Sequence, residues 1–296
     1  MTILVGHVRE LWRFPVKSMQ GERLDRAIDV GLGQGVAGDR GWAIRAESVG
    51  EIQGGKKISE LLGCAARYVE EPSDGTTPDV EITLPDGRSV RSDDPSVHAE
   101  LSTALGVDVT VWPRRPADDV EHYRRRGVID EAEMRRQFAL TDDEPLPDFS
   151  GIPVAIMQEL TEFVSPRGTY FDSTELHLLT SASLASLAAL APDSRIDVRR
   201  FRPNFFVDSG DATGFPEEQW FGRRLRIGEL EADVVMIMQR CVMAAHAQAD
   251  LPYDRSIIRT LVRETGMNLG IGLNVVRPAA VAPGDPVELL DGEDRA

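Results

Sequence analysis

The chain has 296 residues, 42% of them apolar and 28% charged, which is the composition of one large or two ordinary globular domains and not of a disordered chain. Its 33 basic against 49 acidic side chains give a formal net charge of −16, which repels polyphosphate and anionic membranes at long range and excludes a general nucleic-acid binder. Two cysteines are too few for a disulfide scaffold, an iron–sulfur cluster or a four-thiolate zinc site.

The opening residues have no cationic segment followed by an apolar run, so no secretory signal is expected. No stretch approaches the roughly 18 uninterrupted apolar residues of a membrane span, and a cytoplasmic protein is expected. The first 113 residues read mostly as short strands: Ile3 to Phe14, Leu24 to Val30, Gly41 to Arg45 and Ala66 to Glu70 are β-branched or alternating runs between Gly- and Pro-bearing turns. A hairpin is predicted from Glu81 to Val90, turning at Pro85-Asp86-Gly87, where Pro presets φ and Gly tolerates positive φ. One helix follows, with Asp94 as N-cap, Pro95 in its first turn and Gly106 ending it. From Arg114 to Ser150 the sequence is dense in Arg, Asp and Glu, and reads as a solvated, charged connector with one short helix near Glu131 to Phe138.

From Gly151 the strand pattern returns, at Leu176 to Leu179, Asn204 to Asp208, Ala232 to Met238, Leu269 to Val276 and after Pro283-Gly284-Asp285. Two helices are predicted, Ser181 to Leu190 and Arg255 to Glu264, the second capped by Asp254 and closed by Gly266. Many short strands with few helices make the fold class mainly β with a few helices, a β-barrel-rich α+β protein in two parts.

Gly33-Gln-Gly35-Val-Ala-Gly38 matches the dinucleotide-loop pattern, but strand-like residues follow where the mechanism needs a helix N-terminus, so it reads as a turn. Cys241 closes an apolar strand, Val234 to Arg240, and reads either as a buried inert thiol or as a thiolate favoured by Arg240, fit to bind a soft metal or attack an electrophile. Cys64, in an apolar Leu-Leu-Gly-Cys-Ala-Ala run, reads as the inert kind. His246 invites a Cys–His hydrolase, but five residues of extended chain would put the two side chains on opposite faces. The sequence holds three lysines, Lys17, Lys56 and Lys57, against thirty arginines. Lys17-Ser18 follows a strand, Asp39-Arg40 lies in a glycine-flanked turn, Arg199-Arg200-Phe-Arg202-Pro-Asn204 leads into a strand, and Thr180-Ser181 sits at a strand-to-helix junction. One at a time these are solvated surface groups; together, cations and hydroxyls at loop positions suit a small phosphate-bearing anion.

In this order the segments resemble the MOSC family, named for the C-terminal domain of molybdenum-cofactor sulfurase. Arg13-Phe-Pro-Val-Lys-Ser-Met-Gln-Gly and Val36-Ala-Gly-Asp-Arg-Gly-Trp look like its N-terminal β-barrel domain, over residues 1–115. Arg200-Phe-Arg-Pro-Asn-Phe, Gln239-Arg-Cys and Gly284-Asp-Pro-Val-Glu-Leu look like the MOSC domain, over residues 151–292, with the connector at 116–150 between them. The amidoxime-reducing branch is the part of the family that the chain most resembles, and it implies a molybdenum cofactor: molybdenum on a pterin dithiolene with one protein cysteine as ligand. Carried over by position, Cys241 would be metal ligand and catalytic residue. Lys17, Ser18, Arg40, Thr180, Ser181, Arg202 and Asn204 would hold the cofactor, with Arg240 flanking the metal. A family-level link to pyridoxal phosphate is a further expectation.

The resemblance implies an oxidoreductase that reduces N-hydroxylated or related N–O or S–O compounds. Its electrons would come from a separate donor protein such as a ferredoxin or flavin reductase. The alternative is a sulfur- or cofactor-carrier protein without turnover of its own. This chain departs from the family pattern after the cysteine: where relatives carry threonines and then a turn, it reads Cys241-Val-Met-Ala244-Ala245-His246, which loses two hydroxyls near the expected metal and leaves His246 either as a donor there or facing solvent. Neither a C-terminal ferredoxin domain nor a membrane anchor is expected, and neither nucleic acid nor membrane is an expected partner.

Overall fold

The computed structural model describes residues 2–73, 75–149 and 154–290. The chain begins with β1 (Thr2–Arg13), followed by β2 (Glu22–Leu24), β3 (Ile28–Gly31), β4 (Gly35–Val36), β5 (Trp42–Ala46) and β6 (Glu51–Gln53). Then come β7 (Ala65–Tyr68), β8 (Val80–Thr83), β9 (Ser89–Arg91), the helix α1 (Val97–Leu105) and β10 (Val109–Pro113). β10, β5 and β6 form one antiparallel sheet and β7, β8 and β9 another, the latter built on the predicted hairpin. With α1 they enclose a core in which Ile44, Leu61, Ile82 and Leu101 are fully buried.

The connector region holds α2 (Val120–Tyr123), α3 (Glu131–Phe138) and α4 (Val154–Glu162). Beyond it run β11 (Leu176–Thr180), α5 (Ser181–Leu190), β12 (Phe205–Asp208), β13 (Arg224–Ile227) and β14 (Leu230–Gln239). The described chain ends with α6 (Arg255–Thr265), β15 (Asn268–Arg277), β16 (Ala279–Val281) and β17 (Pro286–Leu290). Strands β12, β11, β15, β14, β13, β17 and β1 are hydrogen-bonded in that order, and β1 pairs back onto β12, so the seven strands close a barrel. Closure leaves these strands no free edge. Leu230, Ala232, Val234 and Met236 alternate inward along β14 and, with Leu225, Ile271, Leu273 and Val287, fill the interior.

Local signals set several boundaries. Thr180 accepts a hydrogen bond from the Ser183 amide and Asp254 from the Ser256 amide, while Gly266 takes the left-handed C-cap conformation at φ 59°. Other expectations change. The strand expected from Leu24 to Val30 is two, β2 and β3, joining different sheets. The first helix starts after Ser96, because the Asp94 carboxylate is spent on the Ser96 amide and hydroxyl in a local turn. β13 and α4 were not expected. The segment after Arg114 is no solvated linker: it buries Tyr123 fully and most of Phe138. Its arginines are anchored, Arg125 to the carbonyls of Leu160 and Phe163, and Arg135 to those of Thr141 and Glu144. The first strand crosses the expected domain division, since β1 is a stave of the barrel otherwise made from residues 176–290.

Candidate functional site

β14 ends at Gln239, and Arg240 and Cys241 lead into a single 3-10 turn over Val242–Ala245, so the thiol is held at the barrel mouth and is half-buried. The loop beyond is fixed by Arg200, which is 2% exposed and donates to the carbonyls of Arg195, Ala244, His246 and Pro252. Cys241 opens on a cavity of about 190 Å³ that Arg40, Arg202, Asn204, Arg240 and His177 also line. A second cavity, about 550 Å³, contains Lys17 and Ser18 and shares Lys56, Phe138, Phe149, Asp172 and Met243 with the first. The chain's three lysines all lie along this second cavity.

The cations differ in what they offer. Arg202 stacks on Phe14 at 4.1 Å and gives Nη1 to the Met19 carbonyl at 2.5 Å, but its buried Nη2 has no hydrogen-bond partner. Burial, reinforced by the nearby charge of Arg40, pushes Arg202 down to about 9, so it remains a buried cation that a bound anion would stabilise. Arg40 lies over the same ring at 5.6 Å and pairs with Asp39. Lys17 donates to the Tyr170 carbonyl at 2.8 Å and to Asp172 at 2.6 Å. Burial lowers Lys17 despite that carboxylate. Burial acts to raise Asp172, but Lys17, Arg40 and Lys56 outweigh it and hold the carboxyl well below its usual range. Ser18, Arg40 and Arg202 have φ of 68°, 49° and 55°, three of six such non-glycine residues among those described. Each costs about 1–3 kcal/mol and persists where its surroundings over-determine it, as at ligand clamps.

Two expected contacts are already spoken for. Arg240 donates Nε to the Leu269 carbonyl and Nη1 to that of Phe201, while Nη2 meets His177 Nε2. Its guanidinium, which burial lowers to about 10, thus braces the strand end behind Cys241. Asn204 accepts from the His177 amide at 3.0 Å and donates to the Trp12 carbonyl at 3.3 Å, clamping β11 to β1 from the cavity wall.

Thr180 and Ser181, expected to hold the cofactor, line neither of these two cavities, and their hydroxyls are used within the protein. Thr180 Oγ1 donates to Glu217 at 2.6 Å and caps α5, and Ser181 Oγ pairs with Ser209 at 3.1 Å. His246 is half-buried and its ring lies 6.1 Å from that of Tyr253.

Lys56, Asp172, His177 and Met243 belong to the site and were not singled out beforehand. The scarcity of lysine was the usable signal for Lys56. Asp172 and His177 carry none, because their partners lie far away in sequence. The dinucleotide-like loop is a strand turn, with Gly35 and Val36 in β4.

A family model described as the MOSC N-terminal beta barrel domain matches residues 5–123, and one described as the MOSC domain matches residues 166–288. Mitochondrial amidoxime reducing component 2 of Bos taurus is 25% identical over 245 residues, covering 81% of this chain and 66% of that protein. The Rattus norvegicus protein of the same name is 24% identical over 253 residues, with the same coverage. The match therefore spans just under two thirds of the length of these relatives. Among solved structures, the YUAD protein of Bacillus subtilis aligns with a TM-score of 0.44 and 14% identity, covering 98% of this chain and 96% of that one. YiiM of Escherichia coli aligns with a TM-score of 0.32 and 21% identity, covering 40% of this chain and 56% of that one. With both of its domains matched in order, the chain belongs to the MOSC family and carries that family's N-terminal β-barrel domain.

Proposed function

We propose that the protein is a molybdenum-cofactor oxidoreductase that reduces N-hydroxylated or related N–O or S–O compounds, with electrons from a separate donor protein. The observation that carries this reading is the meeting of one accessible thiol, Cys241, with a buried cation, Arg202, whose Nη2 is unpartnered on the wall of the same cavity. Among the described residues no three His, Cys, Asp or Glu side chains gather as a metal site. A metal at Cys241 would therefore take one ligand from the protein and the rest from a cofactor, which suits a soft sulfur-bound centre. Arg202, Arg40, Lys17 and Ser18 would hold the anionic pterin phosphate.

When bound, the molybdenum centre supplies two-electron chemistry at the substrate oxygen. The protein's own part is positional. Cys241 would hold the metal, while the neutral His177 accepts from Arg240 and so steadies the strand end, and the ionised Asp172 holds Lys17 on the cavity wall. Lys56, at the junction of the two cavities, orients an oxygen-bearing head. Overall, an N–OH group takes two electrons and two protons and yields N–H and water.

The test is molybdenum content by mass spectrometry and oxidised-pterin fluorescence on protein made in a cofactor-competent host, with reduction of benzamidoxime by a chemical reductant. Wild type should carry near-stoichiometric metal and pterin. Cys241→Ala should lose the metal and turnover, and Arg202→Met should lose most of the pterin without losing its fold. Full metal content and turnover in Cys241→Ala would remove the role given to the thiolate. Well-folded wild type with neither metal nor pterin, but with a persulfide on Cys241, would favour the carrier reading.

A further inference from the structure

We infer that Val128, Ile129, Met134, Phe138, Met157 and Leu160 help wall a substrate chamber selective for amphiphilic small molecules, whose alkyl or aryl body lies in the part of the larger cavity they line while a polar head reaches Lys56 and the cavity of Cys241. The inference rests on the reductase reading only for the identity of that head group as N-hydroxylated.

The chamber's lining mixes the three lysines with apolar side chains, Val128, Ile129, Met134, Phe138, Met157 and Leu160, which come from α3, α4 and the residues just before α3. Phe138 is buried, but the others are not core residues: Met134, Met157 and Leu160 are half-buried, Ile129 is 37% exposed and Val128 is 85% exposed. Apolar side chains left lining a concave space beside charged ones match an apolar ligand with a polar end. At about 550 Å³ the space is of the size that encloses drug-sized molecules.

The junction with the other cavity runs through Lys56, Phe138, Phe149, Asp172 and Met243, so a ligand lying on the apolar lining points one end toward Cys241. Lys17, which meets Asp172 and Tyr170, is given to the cofactor, and Lys57 lies 3.8 Å from Glu51 and 4.0 Å from Glu133. Lys56 instead lies over the Phe138 ring at 5.7 Å, on the lining that the two cavities share. Met134, Met157 and Met243 give the chamber unbranched, polarisable side chains that repack around different shapes, so selection falls on apolar bulk more than on outline.

The test is isothermal titration of the cofactor-loaded full chain, without an electron donor, using acetamidoxime, hexanamidoxime and decanamidoxime. The dissociation constant should fall about two- to threefold per added methylene until the chamber is filled, against about fourfold for a fully buried methylene. Val128→Asp, at an exposed position where the fold does not depend on the side chain, and Leu160→Glu should both flatten that slope while molybdenum content stays at the wild-type level. A dissociation constant independent of chain length, or an unchanged slope in both variants, overturns the inference. Chain-length-dependent binding by protein that holds no molybdenum and reduces nothing would support the chamber while the reductase reading fails. Donor-driven reduction of all three compounds with chain-independent binding would do the reverse.

Discussion

The His177 ring packs Nε2 against the Arg240 guanidinium on the strand face where Gly270 comes closest: a Cβ at Gly270 would sit 2.6 Å from that nitrogen, and its φ of 78° favours glycine as well. Burial first, and the Arg240 charge second, hold the imidazole well below its ordinary pKa. The ring is therefore neutral at physiological pH and accepts from Arg240, which keeps the residue next to Cys241 in place. The pH consequence follows from linkage. Unfolded His177 takes up a proton near pH 6.5 while the native ring refuses it, so the unfolded state binds more protons as pH falls, and stability is lost below 6.5 at up to about 1.4 kcal/mol per pH unit. His177→Gln keeps a side-chain acceptor and removes the titration. Urea unfolding of the two proteins between pH 6.5 and 5 should show the shallower slope in the variant. Equal slopes would mean that the native ring is protonated after all.

At the scale of the element, the loop from Cys241 to Pro252 depends on a guanidinium outside it. Arg200 reaches carbonyls at residues 44 to 52 positions away and no flexible ammonium can replace its fork. Arg200→Lys should cost about 2–4 kcal/mol through the carbonyls it leaves unsatisfied. It should also raise the rate at which a thiol reagent modifies Cys241 by an order of magnitude or more, with Cys64 unmoved in its core; an unchanged rate would show that the turn holds itself. The same dependence explains what could be read from sequence. α5, α6 and the hairpin of β8 and β9 announce themselves through caps, glycines and a proline turn within a few residues. Cys241, Arg40 and Arg202 were legible as a thiol and cations at loop positions, and the structure sets them around one cavity. The Lys17–Asp172 pair spans 155 residues and the Arg240–His177 contact 63, so neither leaves a local mark. For Thr180 and Ser181 the sequence offers no distinction, because a hydroxyl at a strand-to-helix junction looks the same whether it caps a helix or binds an anion; the buried Glu217 that takes both the Thr180 and Ser183 hydroxyls lies far away in sequence.

At the scale of the molecule, β1 joins barrel closure to site assembly. It fills the gap between β12 and β17, pairing with both, and closure demands a tight fit: a Cβ at Gly6 would lie 2.3 Å from the Asp208 carbonyl oxygen and 2.8 Å from Val207 Cγ1. The strand then runs directly into Phe14, on which Arg202 and Arg40 rest, and on to Lys17 and Ser18. A barrel lacking β1 would expose the edges of β12 and β17 and leave Phe14, on which Arg202 and Arg40 rest, without the strand that places it. Gly6→Val should therefore destabilise the whole protein by about 3 kcal/mol or more, since backbone on β12 cannot move aside as a side-chain tip could. A chain starting at Phe14 should lose cooperative thermal unfolding and cofactor retention together. Adding a synthetic peptide of residues 1–13 should restore both in parallel, because the vacant position between β12 and β17 offers main-chain partners on either side. Cooperative unfolding of the shortened chain at the wild-type temperature would show that β1 only covers the barrel. Recovery of the fold without recovery of cofactor retention would show that Phe14, Lys17 and Ser18 are positioned independently of the strand that precedes them.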